Sequence, residues 1–435
     1  MIHNHLDDIS FTEKAKIFSE EYLKCCVYIS TFDISKFVFT ERLYFKFISA
    51  SQILEDFLDF HGARNNEKWY FYRELTAAVR HLSRGSYYQK HISNRLSFYD
   101  LKDIEVFREE GYTTLDFLTQ TLIELAPVII DEARKLNIPI PETIFNPAVF
   151  PGIATTEMLD YDIDDADRDQ QKENIVKIAS DFLQIAREFE PFESYGPRTS
   201  EEIKEIVPKK VNEVLIGRFE MMIHNLQSSF DTYVIHGGLR LGNKKLKTLR
   251  GIFSVVFHLL QTTGRLLHFY ERHLHDAGYK NIYQQVQDRL SAVIDPDALL
   301  DRTINYGLFY TCHFLSAGKK IATEILNENI EKSSITVGVP LELGFHSRPS
   351  MMVAKIVQHY GGNVEMCVGN DRFDAGSVLD IQWAGGKIQK ENIKEVIFKG
   401  DVRSLHDIKI LAGVNYGEDS MGKGIPLPNE LKHLR

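Results

Sequence analysis

The sequence predicts a multidomain chain: a mostly α-helical N-terminal bundle followed by a C-terminal α+β open-faced sandwich. Three observations predict this. From Phe11 to Asn327, apolar residues recur every three to four positions and strand-like alternation is nearly absent. From Ser334 to Lys399, short alternating segments separate two amphipathic ones. Between Asn137 and Asp169 the pattern lapses into an irregular stretch that opens with Pro139-Ile140-Pro141 and closes with an acidic run.

Taken in order, the spacing predicts helices over 11–29, 43–60, 69–82, 113–136, 173–189, 201–230, 245–277 and 296–327. Pro127 is expected to kink or end its helix, because it removes a hydrogen bond. A loop as long as 137–169 is either functional or a division between lobes. The expected domains are therefore a helical lobe at 1–136, an irregular acidic connection at 137–172, a second helical lobe at 173–330, an α+β domain at 333–415 and a polar tail at 416–435. In the α+β part a strand is expected at 334–340, a helix at 347–360 stopped by Gly361-Gly362, and a second strand at 363–368. Gly369-Asn370-Asp371 reads as a hairpin turn before a third strand at 372–375. A short helix from Ser377 is expected to end at Gly385-Gly386, with a last strand at 395–399 and a last helix from Asp401.

The length is enough for two to three domains with a large core. A net charge of −10 argues against general attraction to nucleic acid or anionic lipid. Cys25, Cys26, Cys312 and Cys367 form no metal or redox spacing, so no cofactor is expected and a reduced, cytoplasmic location is. Met1-Ile2-His3-Asn4 shows no basic region followed by an apolar run, so no signal peptide is expected. The apolar window Gly251 to Leu260 is broken by Gln261 and Arg265. No run reaches the roughly 18 apolar residues of a membrane span.

The helical part offers three features. Arg64, Lys68, Arg73, Arg80, Arg84, Lys90 and Arg95 interleave with Trp69, Tyr70, Tyr72, Tyr87 and Tyr88. Such a mixture either binds an anion or base, or is a solvated face whose aromatics pack inward. On the helix around residue 260, His258, Arg265, His268, Arg272 and His275 fall within about a third of the circumference and form a candidate ligand or metal face. Glu220/His224 and Glu271/His275 have one-turn spacing but no recognised metal pattern, so ordinary side-chain pairs are expected and no metal site is assigned. His236-Gly237-Gly238 and Gly242-Asn243-Lys244-Lys245 lack the phosphate-loop pattern and read as a turn.

The stretch richest in chemistry is Gly344-Phe345-His346-Ser347-Arg348-Pro349-Ser350. A turn glycine and an apolar residue precede a histidine, and a basic residue and a proline then open a helix. Proline is tolerated in a first turn, where the amide hydrogen it lacks would be unpaired. Free amides, the helix dipole and the Arg348 guanidinium together make an anion site beside an imidazole nucleophile.

The β-α-β-β-α-β-α order and this Gly-apolar-His-x-Arg-Pro motif resemble the HPr family, the histidine-containing phosphocarriers of the phosphoenolpyruvate-dependent sugar phosphotransferase system. The match covers roughly residues 333–415, about a fifth of the chain. The resemblance implies that His346 accepts a phosphoryl group and Arg348 assists. It implies a regulatory phosphorylation site at Ser377, thirty-one residues after His346; from the residues alone Ser377 is a helix N-cap. It further implies docking of an enzyme I-like phosphoryl donor over Val378, Leu379 and Lys355, a downstream phosphoryl acceptor or regulated protein, and an HPr kinase as a further partner. Gly376 and Asp380 depart from the family, where a lysine and a basic surface are common at these places.

The helical region shows neither the Gly-Gly-x-x-Ser-His motif of enzyme I nor a nucleotide loop. The expectation is a phosphoryl carrier rather than a stand-alone catalyst, signalling through a fused helical domain. Two alternatives stay open: the helical domain is an enzyme or a metal- or anion-binding module regulated by the α+β domain, or the chain is a scaffold with an idle histidine.

Overall fold

The computed structural model describes residues 9–31, 39–153, 159, 171–194, 196–235, 244–275, 281–341, 343–419 and 421–434. The acidic run 160–169, the first four residues, His236-Gly237-Gly238 and Gly242-Asn243 lie outside them.

Among the described residues the chain is mostly helical, with one small antiparallel sheet near the C-terminus. The helices are α1 (Phe11–Ser30), α2 (Glu41–Phe60), α3 (Glu67–Arg95), α4 (Glu105–Lys135), α5 (Gln171–Phe189), α6 (Ser200–Ile206), α7 (Glu213–Phe230), α8 (Lys244–Phe269), α9 (Asn281–Ser291), α10 (Pro296–Asp301) and α11 (Phe309–Asn329). They are followed by β1 (Lys332–Gly338), α12 (Ser347–Tyr360), β2 (Val364–Val368), β3 (Asp371–Asp374), α13 (Val378–Glu391), β4 (Glu395–Asp401) and α14 (Val402–Gly413).

Three differences from the sequence reading have physical causes. The helix expected over 201–230 is two helices, α6 and α7, because Pro208 lacks an amide hydrogen and disfavours helix at Val207. Of the two outcomes expected at Pro127, a kink or an end, the end does not occur: α4 runs through it, with Leu125, Ala126 and Ile129 fully buried around it. Gly385-Gly386 does not end α13 either. Gly385 lies where a Cβ would stand 3.0 Å from the Phe345 carbonyl oxygen, so it permits close helix approach.

The domain expectation also changes. One compact unit comprises Met1–Asp162, Pro191–His224 and Gly251–Phe314; the other comprises Ile163–Glu190, Asn225–Arg250 and Leu315–Arg435. Segment 173–330 therefore contributes to both rather than forming a lobe of its own. In the first unit α3 packs against α2, α4 and α9. Helix α4 is the one described helix whose length and apolar composition would let it cross a membrane, and half of that window is buried in the fold.

In the second unit the sheet order is β1-β4-β2-β3. Register places Ile335, Phe398, Met366 and Phe373 in one row across it. Met366 and Phe398 are fully buried, and α13 and α14 pack on the sheet. The tail expected to be a separate polar segment belongs to this core: Tyr416, Leu427, Leu431 and Leu434 are buried with it. The Tyr416 hydroxyl donates to the Gly338 carbonyl at 2.7 Å.

Helix α12 ends at Gly361, whose φ of +75° suits glycine and whose missing Cβ leaves room for Leu183 of α5. The Ser180 hydroxyl of α5 donates to the Tyr360 carbonyl at 3.0 Å.

Candidate functional site

His346 is the N-cap of α12. Gly344 precedes it with φ +60°, a left-handed turn that a side chain would strain. Phe345 is buried, with its ring 5.1 Å from that of Tyr416, and the Ser350 hydroxyl donates to its carbonyl at 3.0 Å. Anchoring Phe345 inward leaves the next side chain pointing out, and the His346 side chain is 31% exposed.

The imidazole makes no capping hydrogen bond to its own helix, so the first-turn amides have no side-chain cap. Its Nε2 lies 3.0 Å from Oε2 of Glu418. With Nε2–H donating to that carboxylate, the lone pair is on Nδ1. Glu418 is itself only 4% exposed. Arg348 Nε stands 4.0 Å from Glu418 Oε1, which is charge proximity rather than a hydrogen bond. The Arg348 guanidinium lies over Gly424, whose backbone bridges to Glu418. Glu418 and Gly424 come from the tail and carry no local motif, so sequence reasoning missed both.

Helix α13 meets the start of α12 where Gln382 Nε2 donates to the Ser347 hydroxyl at 3.1 Å. Leu379 and Trp383, one turn apart on α13, are 63% and 68% exposed. Lys355 is exposed, whereas Val378 is tucked partly against the core. Trp383 was not singled out, because a tryptophan at helical spacing reads as core. Ser377 caps α13, accepting from the Asp380 amide at 3.3 Å.

No family model, curated protein or solved structure matches this chain.

The helical region rearranges the expected histidine face. His258 bonds Gln261 and lies with its ring 4.3 Å from that of His91; His275 stacks on Tyr270. His224 faces Phe257, Glu220 accepts from Gln261, and Glu271 accepts from the Glu213 amide. Arg272 pairs with Glu213, and Arg265 has a buried Nε without a hydrogen-bond partner. Of the expected face only His268 enters a cluster, and its companions are His81 of α3 and His273. One ring nitrogen of each of the three lies within 4.8 Å of the others.

Residues Tyr270–His275 wind as a π-helix directly after α8. An α-helix would set His268 and His273 about 140° apart, whereas π winding stacks residues five apart. That change of winding has no signature in the apolar spacing, which is why His273 was not foreseen.

The cationic-aromatic stretch turns partly inward, with Arg64, Lys68 and Arg95 exposed. Trp69, Tyr70 and Tyr72 are buried. Arg73, itself buried, pairs with Glu55, Asp59 and Glu74, and Arg80 pairs with Glu55 at 2.7 Å. Glu74 in turn holds His273 Nδ1 at 2.6 Å, and Glu213 holds His268 Nδ1. Arg80 donates to His81 Nε2 at 3.1 Å, while His81 Nδ1 is buried with no partner. Burial, then Arg80 and His268, hold His81 well below the usual imidazole range, so it is neutral. Burial pushes Glu74 up, but His273 and Arg73 together outweigh it and keep the carboxyl below its ordinary value.

Proposed function

We propose that the C-terminal domain is an HPr-like phosphocarrier that takes a phosphoryl group on His346 from an enzyme I-like donor. It passes the group on to a downstream acceptor or uses it to signal through the helical segments fused to it. The observation that carries this reading is the half-exposed imidazole at the uncapped start of α12, held through Nε2 by Glu418.

In the proposed transfer the Nδ1 lone pair attacks the phosphorus of a donor phosphohistidine. The new P–N bond forms as the donor's P–N bond breaks, and the donor imidazole keeps the electron pair. Arg348 and the first-turn amides neutralise the phosphoryl oxygens. Glu418 keeps the Nε2 proton in place and balances the imidazole's developing positive charge. Exposed Leu379 and Trp383 on α13 and exposed Lys355 on α12 are the side chains proposed to meet the donor. In this reading the carrier works in the cytoplasm, where such donors operate.

The test is to incubate the full chain with phosphoenolpyruvate and an enzyme I. An acid-labile phosphate that His346→Ala removes is expected. No label, or label that survives in the variant, overturns the reading.

A further inference from the structure

The structure assigns a second site, independent of His346: we propose that His81, His268 and His273 bind a divalent transition-metal ion of the zinc class. Three arguments converge on it.

The first is the ligand set. Three imidazoles approach one another within 4.8 Å, and none of the four cysteines joins them. Nitrogen-only ligation suits zinc-class ions rather than calcium or magnesium, which favour oxygen. The second is the layer behind the ligands. A metal-bound histidine typically donates its other ring N–H to a carboxylate, which fixes the ring and strengthens the ligand. Glu74 does this for His273 and Glu213 for His268, so Nε2 of each is the nitrogen turned loose. His81 contributes Nδ1, a buried ring nitrogen with nothing to bond. The third is cost. Burying Glu55, Arg73 and Glu74, each 3% exposed or less, opposes folding unless every charge is matched. Arg73 ties Glu55, Asp59 and Glu74 together and so holds the carboxylate that orients His273.

Loading the ion requires two adjustments. Nitrogens around an ion at about 2.0–2.1 Å sit roughly 3.4 Å apart, so separations of up to 4.8 Å close by at most about 1.4 Å. Arg80 donates to His81 Nε2, which places the ring proton on Nδ1. Binding at Nδ1 shifts that proton to Nε2 and turns Arg80 fully to Glu55, already 2.7 Å from its Nε. The fourth position is left for water or a substrate atom, on the side where His268 reaches solvent.

The test uses the full chain, stripped with chelator and titrated with Zn2+ against a competing chromophoric chelator, with elemental analysis of the loaded protein. About one ion per chain is expected. His273→Ala and His81→Ala should lower affinity at least about 10²-fold, and Glu213→Gln about 10- to 100-fold. His258→Ala and His346→Ala should bind as the parent does. Should the buried variants fail to fold, His268→Gln at the partly exposed position carries the test, with unchanged circular dichroism as its folding check. No stoichiometric ion, equal affinity in His268→Gln, or one inorganic phosphate bound per stripped chain in place of an ion overturns the assignment. Because His346→Ala is a control here, failure of this site leaves the phosphocarrier reading untouched, and the reverse holds too.

Discussion

Glu418 holds the Nε2 of His346 at 3.0 Å from seventy-two residues further along the chain. A buried carboxylate aimed at one nitrogen selects which tautomer reacts. A glutamine amide in its place presents oxygen or NH2 with equal ease, so the selection is lost. Glu418→Gln is expected to slow phosphoryl acceptance by roughly 10²-fold. Rapid-quench labelling with donor in excess measures this; an unchanged rate would remove Glu418 from the reaction.

Gly424 is expected to matter through Arg348 rather than through folding. A Cβ there would meet the guanidinium, the mobile end of a long side chain that can yield. Gly424→Val should displace Arg348 and reproduce most of the loss expected of Arg348→Ala, about 10²- to 10³-fold in transfer. Its thermal midpoint should move little. A large midpoint drop with normal transfer would show the opposite role.

At Ser377 two effects separate. Ser377→Ala loses the cap bond to the Asp380 amide and should cost about 1 kcal/mol in urea unfolding. Ser377→Asp keeps a cap and adds a charge between Asp374 and Asp380, close to the proposed donor surface. Its stability should match the parent while transfer from a negatively charged donor slows. Equal transfer rates in both variants would argue against regulation at this residue.

Arg73→Met leaves Glu55 and Glu74 buried without their shared cation. The expected loss is about 3–5 kcal/mol of unfolding free energy. Equilibrium denaturation of the full chain checks it, and a change below about 1 kcal/mol would mean that water reaches these carboxylates.

His91 supplies a pH dependence. Burial, then Arg95, push it below the ordinary imidazole value, with Glu41 opposing. As pH falls through about 6.5 the unfolded chain takes up a proton that the folded chain resists. Stability contributed here is therefore present above that pH, declines below it, and levels off under the folded value. Denaturation at about pH 7.5 and 5.5 should show the decline, and His91→Asn should lessen it, with His81, also held low by burial, supplying part of what remains. An identical slope in the variant would place the dependence elsewhere.

Much of the C-terminal part was legible because its signals are local. Alternation marks a half-buried strand, Ser347 to Tyr360 keeps helical spacing, and Gly361 takes the left-handed stop expected of it. His346 stood out because its motif is contiguous. Glu418 did not, since closing a loop of that length leaves no periodic trace near either end. Gly385 misled, because a glycine that admits a neighbour and a glycine that stops a helix look alike in a string. In the helical part, His258, His268 and His275 share a face only if the winding stays α throughout. The π-helical turn breaks that assumption and brings His273 in instead.

Helix α12 has His346 at one end and Gly361, seated on Leu183 of α5, at the other. Fourteen residues make a rod about 21 Å long. Over that length, a tilt of a few degrees in the proposed phosphorylated state would move the far end by about an ångström. At Gly361 no side chain stands between backbone and leucine to absorb that sweep. A close contact with α5 thus lies at the end of α12 opposite His346.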